Sequence, residues 1–207
     1  MIEAPDNLVK ELKKVSENKW FGLPYGSFHH VDFMYSGSKF GHNPVVQRDT
    51  AERFANIGIT REMICGKKVI DLGCNTGSML TFAKQLGASW TYGIDNDKPA
   101  INFANKLFEY LGYEGKFVCG DINALPNIPS CDVLFCFAIS KWVEYDHLIK
   151  LLSDSGAPII VFEDNKHFGK IIPDIIPGYD CEFKWFSGPE ANTDKGWGRV
   201  NYICRKK

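Results

Sequence analysis

The clearest pattern along the chain is a change of hydrophobic period at about residue 68. Before it, apolar residues recur at helical spacing: Leu8, Leu12 and Val15 between lysines and glutamates, then Ala51, Phe54 and Ala55 within 47–57. The intervening stretch 20–44, rich in Gly, Tyr, Phe and His, has neither period and reads as an ordered loop region. From Lys68 on, short apolar runs alternate with longer helical patterns, as in strand-helix-strand units of a parallel sheet. The strands expected are 69–72, 90–94, 116–119, 132–137 and 159–162. Helices are expected from about Gly77 to Leu86, from near Pro99 to Gly112, and over roughly 146–153, with glycines closing the first two. The tail differs. Runs 181–186 and 200–205, separated by Gly188-Pro189 and Gly196-Trp197-Gly198, read as an antiparallel pair finishing the sheet.

These elements predict an α/β fold: a three-layer, Rossmann-like, doubly wound sheet of about seven strands, mostly parallel with an antiparallel C-terminal strand. An N-terminal helical and aromatic-rich extension, 1–66, precedes a core at 67–207. With 207 residues the chain suffices for one substantial core. A composition of 44% hydrophobic and 24% charged residues, with net charge -1, is that of a soluble globular protein and excludes wholesale disorder. It also weakens a nucleic-acid reading, because the only dense basic cluster is Arg205-Lys206-Lys207. Seven scattered cysteines without a Cys-x-x-Cys pair suggest reduced, mostly buried thiols, and neither a disulfide framework nor a zinc site; no metal is expected. With no membrane-length apolar run and no targeting pattern at the start, a cytoplasmic protein is expected.

In an open parallel sheet, ligands bind beyond the carboxyl ends of the strands where the order reverses. Past the first strand the chain reads Asp71-Leu72-Gly73-Cys74-Asn75-Thr76-Gly77, a turn whose glycines let backbone approach a ligand. The second strand delivers Asp95, 22 positions after Gly73 (95 − 73), where a carboxylate accepts hydrogen bonds from ribose hydroxyls. The ligand therefore contains a nucleoside. A dinucleotide pyrophosphate wants Gly-x-Gly-x-x-Gly, but Asn75 stands at the middle glycine and Asp71 closes the strand. A carboxylate there suits a cation, which S-adenosylmethionine carries and a nicotinamide dinucleotide's phosphates do not.

Segments 69–80, 92–100, 118–125 and 132–144 resemble the successive motifs of the class I S-adenosylmethionine-dependent methyltransferases. The resemblance implies S-adenosylmethionine as cofactor. By it Gly73, Cys74, Asn75 and Gly77 line the methionine part, beside Asp71 and Thr76 of the same loop. Asp95 and Asn96 hold the ribose, Asp121 with Ile122 contacts adenine, and Phe137 and Ala138 sit under the sulfonium. Asn75 departs from the family's usual glycine. The run 137–143 and the glycine-containing segment before the last strand are similar to the RNA methylphosphate capping enzymes.

Other candidates are read from chemistry. Arg48, before the first strand, can pair with the methionine carboxylate, with surface salt bridging the competing account for it and for Arg53. Asp97 suits a helix N-cap. The aromatic and histidine stretch Trp20, Tyr25, Phe28, His29, His30, Phe33 and Tyr35 is read equally as a substrate lid or a packed flap. Lys141, His29 and Asp32 are the weak catalytic candidates; Trp142 is read as either substrate contact or core, and Glu163, Asp164 and Asn165 as pocket lining or turn residues. After the fourth strand no polar residue is followed by two prolines, as amino methylation of bases uses, and no Pro-Cys nucleophile occurs. The expected reaction is methyl transfer to an oxygen of a small molecule; alternatives are an RNA-end or other RNA methyltransferase and a noncatalytic cofactor-binding partner.

Overall fold

In the computed structural model, residues 50–187 and 198–207 are described. The N-terminal helix expected before Asn18, the 20–44 stretch with its lid reading, His29, Asp32 and Arg48 lie outside them, as do Gly188-Pro189 and Gly196-Trp197.

Seven strands form one sheet in the order β3-β2-β1-β4-β5-β7-β6. They are β1 Lys68–Leu72, β2 Trp90–Asp95, β3 Lys116–Cys119, β4 Val133–Phe137, β5 Ile159–Asp164, β6 Tyr179–Ser187 and β7 Arg199–Lys206. The first five pair in parallel, and β7 lies antiparallel between β5 and β6. The chain leaves β1 for β2 on one side and later enters β4 on the other, so the order reverses between β1 and β4. Helices α1 Thr50–Ile57, α2 Arg61–Ile64, α3 Ser78–Gln85, α4 Lys98–Leu111 and α5 Tyr145–Asp154 complete the core. Expected and observed strands agree in number, position and direction.

Each strand feeds two cores, because successive side chains point to opposite faces. Ile70, Leu72, Leu134, Cys136, Ile160 and Phe162 pack with Leu148, Leu151 and Leu152 of α5. Val69, Val133, Phe135, Phe137 and Val161 face the other way, onto Phe54 and Ile57 of α1, Leu80 and Ala83 of α3, and Ala104 and Phe108 of α4. The three layers follow from this parity. It also decides where strand-end polar residues go: Asp71, Glu163 and Asn201 share parity with the second set and point to the α1 side.

Helix ends are set locally. Asp97 caps α4, accepting from Ala100 N at 3.0 Å, with Pro99 in the first turn and Gly112 left-handed at the close (φ +65°). Among the described residues no helix is long and apolar enough to cross a membrane.

One expectation is overturned: Cys181 and Cys204 form a disulfide. The β6–β7 register sets them directly opposite each other, a proximity that spacing of 23 residues does not reveal. Cys74, Cys131 and Cys136 are buried free thiols, while Cys65 and Cys119 are exposed.

Phe54 anchors α1, meeting Phe82 edge-on at 4.8 Å and Phe135 at 5.7 Å while only 1% exposed. Phe54→Ala should cost about 3–5 kcal/mol in urea unfolding. A loss below about 1 kcal/mol would show that α1 is not held by this contact.

Candidate active site

A cavity of about 880 Å³ opens at the carboxyl ends of the strands beside the reversal point, within the roughly 300–1,000 Å³ usual for small-molecule sites. Its walls include Asp71 and the loop after β1, Asp95 and Asn96 at the end of β2, and Phe137 and Ala138 at the end of β4. Arg53 of α1 and Arg199 of β7 also line it.

The loop after β1 is shaped by steric limits. Gly73 has φ +75°, and a Cβ there would lie 2.3 Å from Ile139 Cγ2. At Gly77 (φ +77°) a Cβ would meet the Phe117 ring at 2.7 Å. Asn75 adopts φ +48° without being glycine, a conformation Asn tolerates better than most residues. Its side chain accepts from Thr76 N at 2.7 Å, and its own N–H donates to Asp95 Oδ2 at 2.9 Å. Asp95 Oδ1 accepts from Asp97 N at 2.9 Å. The loop and the β2 carboxylate thus hold each other in place.

Asp71 is 2% exposed, and its Oδ1 has no hydrogen-bond partner; Thr76 Oγ1 is likewise buried and unpaired. Burial pushes the Asp71 carboxyl well above its ordinary range, against the pull of Arg53 and with a further push from Asp95. Burial also raises Asp95, against the N–H groups of Asp97 and Asn75. A buried acceptor with no donor fits a cation supplied by a ligand.

On the facing side, Glu163 at the end of β5 is fully buried. Its Oε2 takes Arg53 Nη2 and Ser187 Oγ (2.8 Å); its Oε1 takes Arg199 Nη1 (3.0 Å). Burial alone would raise its pKa, but the two guanidinium groups outweigh burial and bring it down to about 2. Arg53 also lies over the Phe137 ring, 4.5 Å from its centre. Arg53 is therefore a buried member of the site, not a surface ion-pair residue. It shares the inward stripe of α1 with Thr50, Phe54 and Ile57, a pattern already present in the spacing.

Residues after β4 are tied to those after β5. Asn165 Nδ2 donates to Ala138 O at 2.6 Å, and Asn165 Oδ1 accepts from Lys141 N at 2.8 Å. Ser140 Oγ is 2.6 Å from Asp164 Oδ1, and His167 Nδ1 is 2.8 Å from Asp164 Oδ2. Ala138 is held at φ +60°, a strained conformation that persists only where its surroundings impose it. Lys141 stands exposed at the mouth beside Trp142, which is 63% exposed and so not core.

The structure thus brings together Asp71, Gly73, Cys74, Asn75, Asp95, Asn96, Phe137, Ala138 and Lys141 around one cavity. Thr76 and Gly77 belong to the same turn but do not line the cavity. Asp121 is exposed after β3, accepting from Asn123 N at 2.9 Å, and Ile122 is buried; neither lines the cavity. Of Glu163, Asp164 and Asn165, read as pocket lining or turn residues, Asn165 lines the cavity while Glu163 lies behind it; Arg199 is the residue that motif reading passed over.

Residues 69–155 match the family model described as a methyltransferase domain. A ribosomal protein L11 methyltransferase of Thermosipho melanesiensis is 35% identical over 89 residues, 43% of this chain and 32% of that protein. Protein arginine N-methyltransferase 1 of Dictyostelium discoideum is 26% identical over 184 residues, 84% of this chain and 48% of its own length. The chain thus spans less than half the length of these curated relatives. Among solved structures, magnesium protoporphyrin IX methyltransferase from Synechocystis PCC 6803 with bound SAH superposes with TM-score 0.59 at 17% identity, over 97% of this chain and 95% of that one. The chain shares its fold with that structure, and its similarity to the methyltransferase-domain family lies within residues 69–155.

Glu163 supplies a pH test. A carboxyl lowered from 4.5 to about 2 on folding stabilises the fold above the unfolded value, and that contribution is lost as pH falls towards 2. It amounts to roughly 3 kcal/mol at neutral pH. Urea titrations from pH 7 down to 2.5 should show this loss in the wild type and a flatter profile in Glu163→Gln; parallel profiles would refute the assignment.

Proposed function

We propose that this chain transfers a methyl group from S-adenosylmethionine to an oxygen of a small molecule. The observation that carries the cofactor reading is the buried, unpaired Asp71 Oδ1 in the wall of the strand-end cavity. An ammonium group there converts a desolvated acceptor into a charge-assisted hydrogen bond. A pyrophosphate at the same place would meet a carboxylate, which disfavours a nicotinamide dinucleotide.

The remaining roles follow position. Asp95, already oriented by two backbone N–H groups, and Asn96 accept and donate to ribose hydroxyls. Arg53 takes the methionine carboxylate, the role read for Arg48, because it lines the cavity on the Asp71 side with its guanidinium fixed by Glu163 and Phe137. Phe137 and Ala138 form the floor under the sulfonium, and Asp121 and Ile122 stay assigned to adenine by their place after β3. When bound, S-adenosylmethionine supplies an activated methyl group, so the chain needs no covalent nucleophile. Its own contribution is to orient the acceptor in line and to exclude water, and positioning alone can account for about 7–11 kcal/mol of barrier. The core is read as a methyltransferase domain at 67–207, with 1–66 as an N-terminal extension.

Asp71 gives the test. Its raised pKa means that pairing with an ammonium favours the ionised form, so binding S-adenosylhomocysteine should release protons. Calorimetry in buffers of different ionisation enthalpy should show that release in the wild type. Asp71→Asn should abolish it and weaken binding about 10–100-fold, the scale of one charge-assisted bond. Unchanged affinity in Asp71→Asn would contradict the role, and labelled methyl groups appearing only on nitrogen or carbon acceptors would contradict the oxygen assignment.

A further inference from the structure

On the acceptor side of the cavity, the described cations reach the wall while the described carboxylates are buried and engaged. Glu163 is the carboxylate buried behind it, and two guanidinium groups already saturate it from opposite oxygens. Asp164, next along the chain, is fully buried and engaged by Ser140 and His167. Arg53 stands towards Asp71. Arg199, on the last strand, reaches the cavity wall with its side chain 18% exposed. Lys141 stands at the mouth, its backbone pinned to Asn165. Arg199 and Lys141 thus line the cavity on this side, while neither Glu163 nor Asp164 does.

Two further features describe the acceptor's body. Trp142 and Phe168, 63% and 42% exposed, flank the mouth of the same cavity. Large apolar side chains at a pocket's opening signal contact with a ligand's apolar part. A guanidinium or ammonium acceptor finds no available carboxylate among the described residues on this side, and repulsion from Arg199 and Lys141 opposes it.

Resting on the cofactor reading above, we propose that the methyl acceptor is an oxyanion, a carboxylate or phosphate monoester on a small aromatic or apolar molecule, held by Arg199 and steered by Lys141. Arg199 is a specificity-determining residue, and Glu163 positions it together with Arg53, so one buried carboxylate aligns a cofactor-side and an acceptor-side arginine. An oxyanion supplies the electron pair of the new C–O bond, the donor's sulfur keeps the pair of the broken S–C bond, and no proton has to leave. This accounts for an acceptor side furnished with cations instead of a carboxylate base.

The test is calorimetric titration of the protein saturated with S-adenosylhomocysteine, using benzoate, phenyl phosphate, neutral benzamide and cationic benzamidine as probes. At least one oxyanion should bind tenfold or more tightly than benzamide and benzamidine, and the stronger of the two distinguishes carboxylate from phosphate. Arg199→Gln should weaken that oxyanion at least tenfold, Arg199→Lys by less, and Lys141→Gln about threefold. Retained binding of S-adenosylhomocysteine reports an intact fold in each variant; if Arg199→Gln loses it, Arg199→Lys and Lys141→Gln carry the comparison. Equal binding of benzamide or benzamidine, or oxyanion binding indifferent to Arg199 and Lys141, overturns the proposal while leaving the cofactor reading standing. Failure of the wild type to bind S-adenosylhomocysteine overturns the cofactor reading itself, and the acceptor assignment with it.

Discussion

A buried carboxylate must be paired, protonated or supplied with a partner from outside, because desolvating a charge costs several kcal/mol. This chain faces that constraint at two strand ends on the same face of the sheet, and meets it in opposite ways. At Glu163 the structure supplies its own cations, Arg53 and Arg199, with Ser187 as a further donor, and the carboxyl is held ionised down to about pH 2. At Asp71 it leaves one oxygen bare, and the carboxyl rises well above its ordinary range. The first is a structural solution. The second leaves an oxygen unpaired at the cavity wall, where we propose that a ligand's ammonium group completes it.

Both follow from strand parity. Asp71, Phe137 and Glu163 end adjacent parallel strands in the order β1-β4-β5, and each points to the face that α1 covers. Helix α1 then does two things through neighbouring residues: Phe54 packs it onto Phe135, and Arg53 extends over Phe137 to Glu163. The packing contact sets the position of the guanidinium. β7 brings Arg199 to the same carboxylate from the other side because it runs antiparallel, which places its first residue at the carboxyl end of β5.

Much of this was legible in the residues. The period change at Lys68 and the glycine punctuation marked every strand, and Asp71, Asp95 and the turn between them marked residues that line the strand-end cavity. Asp97 was readable as a cap because Pro99 follows it. Glu163 was readable as a strand-end residue near the pocket, but its pairing with Arg53 and Arg199 was not, since the three are separated by 110 and 36 positions and meet only through register and packing. Arg53 did leave a trace, its place on the Thr50-Phe54-Ile57 stripe. The Cys181–Cys204 bridge depended on strand register alone, which pattern does not fix when both strands sit at the end of a sheet. Trp142 was ambiguous because an aromatic after a strand serves equally as core or rim.

The central claim is that the strand-end cavity recognises a nucleoside bearing an ammonium group and excludes a dinucleotide. Titrating the wild-type protein in parallel with S-adenosylhomocysteine and with NAD tests it most directly. The account predicts saturable binding of the thioether and none of NAD at the same concentrations; saturable NAD binding without thioether binding would contradict it.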